Sequence, residues 1–152
     1  MSHHEVGDPA PFDILGPLPE ARSTTVLEAS AGTGKTFTVG ALVARYVAEG
    51  IATLDEMLVI TFGRAASQEL RERVREQLVA TERALSDPST ITPGDVVLTY
   101  LVSTDVELRR KRISDALAGF DAATIATTHQ FCQLVLRSLG VAGDTDSRAE
   151  LV

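Results

Sequence analysis

The sequence has 152 residues, of which 44% are hydrophobic and 23% are charged, a composition typical of one globular domain and unlike that of a disordered chain. Its formal net charge of −7 argues against an extended basic surface for nucleic acid, so any such binding would depend on a few placed groups. No apolar run approaches the ~18 residues of a membrane span, and the N-terminus lacks the basic and apolar regions of a secretory signal. The single cysteine predicts a reducing, cytoplasmic setting.

The first part of the chain alternates predicted strands and helices. Residues 1–22 are rich in proline and glycine and are interpreted as an extended lead-in. The β-branched, apolar run at 24–28 predicts a short buried strand. A helical pattern follows from Lys35 to about Glu49, and Gly50 is a natural stop for it.

A second strand and a long helix are predicted next. Residues 57–62 form an apolar run typical of a strand, and the helix extends over roughly 64–85. The apolar residues of this helix fall four positions apart, which places them on one face. The stripe consists of Ala66, Leu70, Val74 and Leu78.

The stretch 86–119 contains only predicted helices. A basic run at 109–112 within it is interpreted either as a solvated helix face or as a contact with a DNA backbone or a partner. A third strand is predicted at 122–127 and a further helix at 129–139. The side chains of that helix predicted to face inward are Phe131, Leu134, Val135 and Leu139.

Strands that alternate with helices predict a parallel sheet in an α/β domain, and the helical stretch 86–119 is interpreted as an insertion into it. Residues 141–152 are polar and acidic and are interpreted as a tail. The single cysteine, Cys132, excludes an internal disulfide, and its apolar neighbours predict a buried side chain rather than a nucleophile.

A loop of small residues between the first strand and the first helix has the spacing of a nucleotide phosphate loop. Backbone N–H groups must wrap a polyphosphate there, which explains Gly32 and Gly34, because larger side chains would block the approach. Lys35 is placed for the β- and γ-phosphate oxygens of ATP and the hydroxyl of Thr36 for Mg²⁺, so these are the candidate catalytic residues. The predicted nucleotide-binding residues are Ala29, Ser30, Ala31, Gly32, Thr33, Gly34, Lys35 and Thr36.

Sequence blocks in a fixed order resemble the motifs of one family of DNA helicases. The block 28–38 around the phosphate loop is very similar to the first motif of the RecB-type helicases. The block 58–70 resembles the next motif of the UvrD, Rep and RecB helicases, and the block 125–132 resembles the third, around a Thr-x-His-x-Phe core. Their order and spacing make this resemblance to UvrD/Rep-type superfamily 1 helicases far more specific than the phosphate loop alone.

The resemblance implies an α/β fold with the parallel sheet of a RecA-like P-loop NTPase. In that organisation, residues 23–85 are the first part of a motor domain and 86–119 begin an inserted helical domain. Residues 120–140 return to the motor domain with the third motif, and the chain ends at 141–152 before the motor is complete. The sequence is therefore expected to be the N-terminal piece of a larger protein.

The resemblance also implies contacts with single-stranded DNA at the ends of the second and third strands. The implied DNA-binding residues are Thr61, Phe62, Arg64, Thr127 and His129. Hydroxyl and N–H groups at such positions can hold phosphates without sequence preference, and an aromatic ring such as that of Phe62 can stack on a base. The alternatives are ordinary core packing for Phe62 and a helix-capping or core role for His129.

The sequence departs from the family pattern at several positions. Gly63 replaces the usual Thr, Gln130 replaces Gly or Ser, and Phe37 replaces the Arg of the UvrD branch, which favours the RecB branch. No Gln typical of adenine recognition precedes the loop, and no apolar strand ends in the Asp-Glu pair that would hold Mg²⁺. An arginine finger from a second motor domain is also missing, so the fragment is expected to have little or no ATPase activity.

The implied function of the parent protein is that of an ATP-dependent helicase and exonuclease, exodeoxyribonuclease V, which acts at DNA double-strand ends with RecC- and RecD-like partner subunits. One alternative is an AddA- or UvrD-like helicase fragment. Another is a stand-alone nucleotide-binding protein that does not hydrolyse ATP, and exposed apolar surface would argue against it. A small-molecule P-loop kinase would explain neither the block 58–70 nor the block 125–132.

Overall fold

The computed structural model describes residues 10–29 and 34–140. Its helices are α1 Lys35–Ala48, α2 Arg64–Ser86, α3 Val96–Leu101, α4 Val106–Ala118 and α5 Thr128–Leu139. Its strands are β1 Leu58–Thr61 and β2 Thr124–Thr127, and short 3₁₀ helices lie at Leu54–Glu56, Pro88–Thr90 and Phe120–Ala122. Within these residues, no helix is long and apolar enough to cross a lipid bilayer.

The strands β1 and β2 form a small parallel sheet. Leu58 lies opposite Thr124 and Thr61 lies opposite Thr127, with α2, α3 and α4 in the connection between the strands. Parallel strands need such a crossover, because a tight turn can join only antiparallel ones. The predicted α/β class is thereby confirmed in its coarse form, as a helix-rich domain with a small parallel sheet.

The predicted strand at 24–28 is wrong. Residues 23–29 form no strand, and the side chains of Val26 and Leu27 are 76% and 41% exposed. A strand forms only beside a partner, because its backbone N–H and C=O groups must be paired through a ladder. In the part of the chain that the structure describes, the sheet contains β1 and β2 alone, and neither pairs with 24–28.

The hydrophobic core lies between α1, α2 and α4. Leu70, Val74 and Leu78 of the predicted α2 stripe are buried in it, and Ile113 of α4 meets them there. Ala66 is exposed, contrary to the prediction, because it lies in the first turn of α2, outside the packed part of the helix. Each fully buried leucine or isoleucine contributes about 1.5–3 kcal/mol, so this packing holds α1 in place.

A side chain of α1 holds the lead-in through hydrogen bonds to the main chain of the lead-in. The buried guanidinium of Arg45 donates to the carbonyl oxygens of Ile14 and Gly16 at 2.7 and 2.8 Å. The same group forms an ion pair with Glu49 at 2.9 Å and packs over the ring of Tyr100. A buried guanidinium is stable only when its N–H groups are paired, so Arg45 fixes where the lead-in crosses the helix.

The basic run at 109–112 is only partly a solvated face. Arg109 is 7% exposed and donates to the carbonyl of Leu101 at 2.8 Å, at the end of α3. Arg112 donates to the carbonyl of Ala48 at 3.0 Å, at the end of α1. The surface ion pairs of the run are Arg110–Glu82 and Lys111–Asp115. Cations that satisfy the last carbonyls of a helix also interact favourably with its dipole, so α4 caps both of its neighbours.

Candidate functional site

Helix α1 begins after a glycine in the left-handed region. Gly34 has a φ of 86°, Lys35 is exposed as the first residue of the helix, and Thr36 is half-buried. No side chain of the described residues caps this helix start, and the first N–H groups of a helix can donate to an anion. A Cβ on Gly34 would meet no atom within 4 Å, so the backbone conformation, rather than a lack of space, requires glycine.

The predicted phosphate loop lies only partly within the described residues. Ala29, Gly34, Lys35 and Thr36 are described, whereas Ser30, Ala31, Gly32 and Thr33 lie outside. A left-handed glycine, an exposed ammonium group and an uncapped helix start suit the phosphates of ATP. Among the described residues, no group of three His, Cys, Asp or Glu side chains could hold a metal ion.

A cleft of about 400 Å³ opens between α1 and α2 beside Thr36. The ring of Phe37 is 54% exposed along it, and the Nε2 atom of Gln77 is buried without a partner among the described residues. Gly40 is buried on this side of α1, and an added Cβ would lie 3.5 Å from the Cβ of Gln77, an ordinary van der Waals contact. Sequence reasoning missed this cleft because its walls belong to separate helices whose packing no local pattern reveals.

The carboxyl ends of β1 and β2 bring together the residues predicted to bind DNA. Thr61 is the last residue of β1 and lies directly opposite Thr127, the last residue of β2. Helix α2 starts three residues after Thr61, and α5 starts immediately after Thr127. Two strand ends and two helix starts therefore share one edge of the sheet, the position where open α/β sheets commonly bind their ligands. We call this region the strand-end edge.

The loop between β1 and α2 presents Phe62 and Arg64 at the strand-end edge. The ring of Phe62 is 87% exposed, so the core-packing alternative for this residue is wrong. Gly63 has a φ of 76° and a ψ of 147°, a combination that is essentially restricted to glycine. Arg64 is exposed as the first residue of α2. The glycine thus turns the chain so that both neighbouring side chains face solvent.

Thr127 caps helix α5 through a reciprocal pair of hydrogen bonds. Its Oγ1 atom accepts the backbone N–H of Gln130 at 3.1 Å, and its own N–H donates to Oε1 of Gln130 at 2.9 Å. His129 is exposed in the first turn, so it is neither the cap nor a core residue. The Thr-x-x-Gln spacing is a recognisable capping box, which is the signal that could have identified Gln130 from the sequence.

Helix α5 has an apolar face that nothing covers among the described residues. None of its residues is buried. Of the side chains predicted to face inward, Phe131 is half-buried, and Leu134, Val135 and Leu139 are 50%, 37% and 61% exposed. Cys132 is also exposed, so the predictions of an inward apolar face and a buried cysteine are both wrong for this part of the chain. Periodicity identified the amphipathic helix correctly, but it could not show whether a partner element is present.

Comparison with known proteins identifies the family. The chain is 69% identical to the RecBCD enzyme subunit RecB of Mycolicibacterium smegmatis over 93% of its own length, which is 13% of that protein. It is 60% identical to RecB of Mycobacterium tuberculosis over 92% of the chain and 13% of the relative, and 35% identical to RecB of Escherichia coli over 73% and 10%. Residues 17–151 match the family model of the UvrD/REP helicase N-terminal domain. The chain therefore belongs to the UvrD/REP helicase N-terminal domain family, with similarity to RecB subunits of which it spans about an eighth.

Proposed function

We propose that the chain is the N-terminal ATP-binding and single-stranded-DNA-contacting part of a RecB-like helicase and exonuclease, acting in double-strand break repair and recombination. The observation that carries the proposal is the pairing of Thr61 with Thr127 at the strand-end edge, where both strands lead into helices. Similarity to RecB subunits over most of the chain supports it. The name of those relatives implies RecC- and RecD-like subunits as partners of the whole protein.

In this proposal, ATP binds at the start of α1. The ammonium group of Lys35 neutralises charge on the β- and γ-phosphate oxygens, and the N–H groups of the first turn donate to them. The hydroxyl of Thr36 would be one ligand of Mg²⁺, whose chemistry is to bridge the phosphates and neutralise their developing charge. A RecA-like motor fold for 23–85 and 120–140, with a helical insertion at 86–119, belongs to the same proposal.

The strand-end edge would hold the DNA backbone. Thr127 is 6% exposed and its Oγ1 atom accepts the backbone N–H of Gln130, so its hydroxyl proton is the group that would donate to a phosphate oxygen reaching this strand end. Arg64 and His129 add a cation and a ring N–H at the same edge, and the exposed ring of Phe62 can stack on a base. Such contacts recognise no particular sequence, as a motor that moves along DNA requires.

We further propose that the chain alone hydrolyses ATP slowly or not at all. Hydrolysis needs a carboxylate at a strand end to hold Mg²⁺, together with a cation that stabilises the transition state. In the described part of the chain, β1 and β2 end in Thr61 and Thr127 rather than in acidic residues. A DNA-stimulated ATPase rate above that of the Lys35→Ala variant would contradict this statement.

The alternative of a stand-alone nucleotide-binding protein is disfavoured by exposed apolar side chains. Leu58 and Ile60 on β1 are 44% and 41% exposed, and Leu136 and Leu139 on α5 are 54% and 61% exposed. Parallel sheets are normally covered on both faces, so a finished domain would bury these groups. The relatives described above are RecB subunits, so an AddA- or UvrD-like fragment is not favoured either.

The DNA-binding proposal is tested by fluorescence anisotropy with a fluorescein-labelled oligothymidylate of about 20 nucleotides, longer than a typical single-stranded site. The double variant Thr61→Val with Arg64→Met should bind the oligonucleotide about 10-fold more weakly. The slope of its log affinity against log salt concentration should be smaller by about one, the value expected for the loss of one phosphate contact. The matched control, Thr104→Val with Arg75→Met, removes the same groups at exposed positions elsewhere. Equal affinities of the two double variants would exclude the strand-end edge as the binding site.

A further inference from the structure

Two side chains of α1 hold one stretch of the lead-in. The guanidinium of Arg45 donates to the carbonyl oxygens of Ile14 and Gly16 at 2.7 and 2.8 Å. The hydroxyl of the next residue, Tyr46, donates to the carbonyl oxygen of Pro19 at 2.6 Å. The acceptors are main-chain atoms, so these bonds fix the path of the chain directly. We call Arg45 and Tyr46, with the carbonyl groups that they bind, the lead-in clamp.

The lead-in clamp is itself held in place by neighbouring side chains. Arg45 is 3% exposed, forms an ion pair with Glu49 at 2.9 Å, and lies 5.1 Å from the ring centroid of Tyr100. Tyr46 is half-buried. A guanidinium that is in contact through both its planar face and its N–H groups has a fixed orientation. The lead-in clamp is therefore a rigid attachment to α1 rather than a loose surface contact.

Pro19 is the last residue before α1 that the described structure attaches to a helix. Residues 20–29 are all exposed, and the hydrogen bonds described for them join only Ser23 and Glu20. Among the described residues, the chain between the lead-in clamp and the start of α1 thus has no other anchor on the helices.

The connection from the lead-in clamp to α1 is longer than the distance that it must cover. The chain from Pro19 to Gly34 could extend over about 50 Å. Tyr46 lies about 16 Å along α1 from Lys35, because a helix rises about 1.5 Å per residue. The attachment at Pro19, rather than the length of the connection, therefore limits the space that the residues before Gly34 can occupy.

We propose that Arg45 and Tyr46 are positioning residues for nucleotide binding. By attaching the lead-in to the helix that begins at Lys35, they restrict the chain that enters this helix, at the place where phosphates would bind. The inference rests on the proposed function, in which ATP binds at the start of α1. Conformational entropy that the connection loses through the lead-in clamp need not be lost again when ATP binds, so the clamp raises the affinity without touching the ligand.

Arg109 provides a matched control for Arg45. It is also buried, lies 5.4 Å from the ring centroid of the same Tyr100, and donates to the carbonyl oxygen of Leu101 at 2.8 Å. Its acceptor belongs to the end of α3 rather than to the lead-in. Lysine at either position keeps the charge but loses the planar fork of the guanidinium. The two variants should therefore lose similar stability and differ in the segment that they release.

The test measures the affinity of each variant for a fluorescent ATP analogue with Mg²⁺, under conditions in which its urea unfolding curve shows it to be folded. Arg45→Lys should bind about threefold more weakly, and the double variant with Tyr46→Phe about 10-fold more weakly. Arg109→Lys should change the affinity by less than about twofold, although its unfolding midpoint falls by a similar amount. Inorganic tripolyphosphate, added as a competitor, should be weakened by the same factors as the ATP analogue, because the lead-in clamp acts on the chain around the phosphates.

Three results would overturn the inference. Equal weakening by Arg45→Lys and Arg109→Lys would show that lost stability, rather than the attachment, lowers the affinity. An unchanged affinity of the double variant would show that the lead-in clamp has no role in binding. Weaker binding of the ATP analogue with unchanged binding of tripolyphosphate would show that the lead-in acts on the nucleoside instead.

Failure of the proposed function would look different. If Lys35→Ala binds the ATP analogue weakly, ATP binding at the start of α1 stands even where the lead-in clamp has no effect. If the unchanged chain binds neither ligand, or Lys35→Ala binds as tightly as the unchanged chain, the proposed nucleotide site and this inference are both wrong.

Discussion

The proposed binding of nucleotide at the start of α1 depends on the chemistry of individual residues. Lys35 is exposed there, Thr36 is half-buried behind it, and Gly34 supplies the left-handed turn that leads into the helix. An exposed lysine contributes little to the stability of the chain, so its proposed value lies in its interaction with a phosphate. Its removal should therefore affect nucleotide binding without affecting folding.

Lys35→Ala should lower the affinity of the chain for a fluorescent ATP analogue with Mg²⁺ by about 10-fold or more, because a charge-assisted hydrogen bond is lost. Lys111→Ala is the control, since Lys111 is an exposed lysine on α4 whose partner is Asp115. The affinities are measured by equilibrium fluorescence titration. A loss of the same size in both variants would mean that overall charge, rather than the helix start, governs binding.

Gly63 illustrates how a departure from a family pattern can have a local backbone cause. Its φ of 76° and ψ of 147° lie in a region that is essentially restricted to glycine. Gly63→Thr, which restores the residue usual in the motif, should lower the free energy of unfolding by about 1–3 kcal/mol in a urea titration.

The control for the substitution at Gly63 is Gly119→Ala. Gly119 has a φ of −97°, and an added Cβ would lie 3.6 Å from the carbonyl oxygen of Asp115, an ordinary contact. Its substitution should change the free energy of unfolding by less than about 0.5 kcal/mol. A Gly63→Thr variant as stable as this control would show that the loop adopts another conformation in solution.

The helices cap one another, and this explains more of their arrangement than their individual propensities do. Arg109 reaches from α4 to the carbonyl of Leu101 in α3, and Arg112 reaches from α4 to the carbonyl of Ala48 in α1. The first bond joins consecutive helices and the second joins residues 64 positions apart, and each lies where a helix leaves carbonyls unpaired. Helix α4 thus holds the far end of the helix whose near end would bind ATP.

Arg109→Met should lower the free energy of unfolding by about 2–3 kcal/mol, because it removes hydrogen bonds from a charged, buried donor and leaves a carbonyl unpaired. Lys111→Met is the control on the same helix, because the side chain of Lys111 is 73% exposed. Urea unfolding followed by circular dichroism measures both. If Arg109→Met were as stable as Lys111→Met, the capping role of Arg109 would be refuted.

What could be predicted from the sequence at the scale of elements depends on where each signal originates. The bounds of α1, α2 and α5 follow from periodicity and stop residues, which are local, and they agree with the structure to within a residue or two. The strand at 24–28 and the inward face of α5 failed because both need a partner element that the described residues do not contain. The ends of β1 and β2 lie together because the strands are parallel and in register, whereas DNA binding by the residues there stays a prediction.

The candidate site was predicted less completely than the elements that carry it. The role of the loop residues Ser30 to Thr33 stays a prediction, since they lie outside the described residues. The capping function of Arg109 was not predicted because its partner depends on packing between elements, whereas that of Gln130 was missed although its Thr-x-x-Gln spacing is a local signal. Local spacing identifies a motif, whereas only the fold identifies what each of its side chains contacts.

The whole molecule exposes apolar surface that is unusual for a finished domain. One face of β1, with Leu58 and Ile60, and the outer face of α5, with Leu136 and Leu139, are exposed. The chain spans 13% of the length of the RecB subunits of Mycolicibacterium smegmatis and Mycobacterium tuberculosis. The isolated chain should therefore bind apolar dyes.

The double variant Leu136→Gln with Leu139→Gln should lower the fluorescence of bound 8-anilinonaphthalene-1-sulfonate while changing the free energy of unfolding by less than about 0.5 kcal/mol. Leu78→Ala, in the fully buried core of α2, is the contrasting variant and should cost about 2–5 kcal/mol. Both quantities are measured on the same protein preparations. A large loss of stability in the α5 variant would mean that these leucines are packed in solution.

Mapping of backbone amide resonances by nuclear magnetic resonance during separate additions of MgATP and oligothymidylate would test most directly whether the chain has the two proposed binding regions. The account predicts that MgATP shifts the amides of residues 34–37, and that DNA shifts those of 61–64 and 127–130. Shifts by DNA that centre instead on the exposed basic groups of α4, Arg110 and Lys111, with residues 61–64 and 127–130 unchanged, would contradict it.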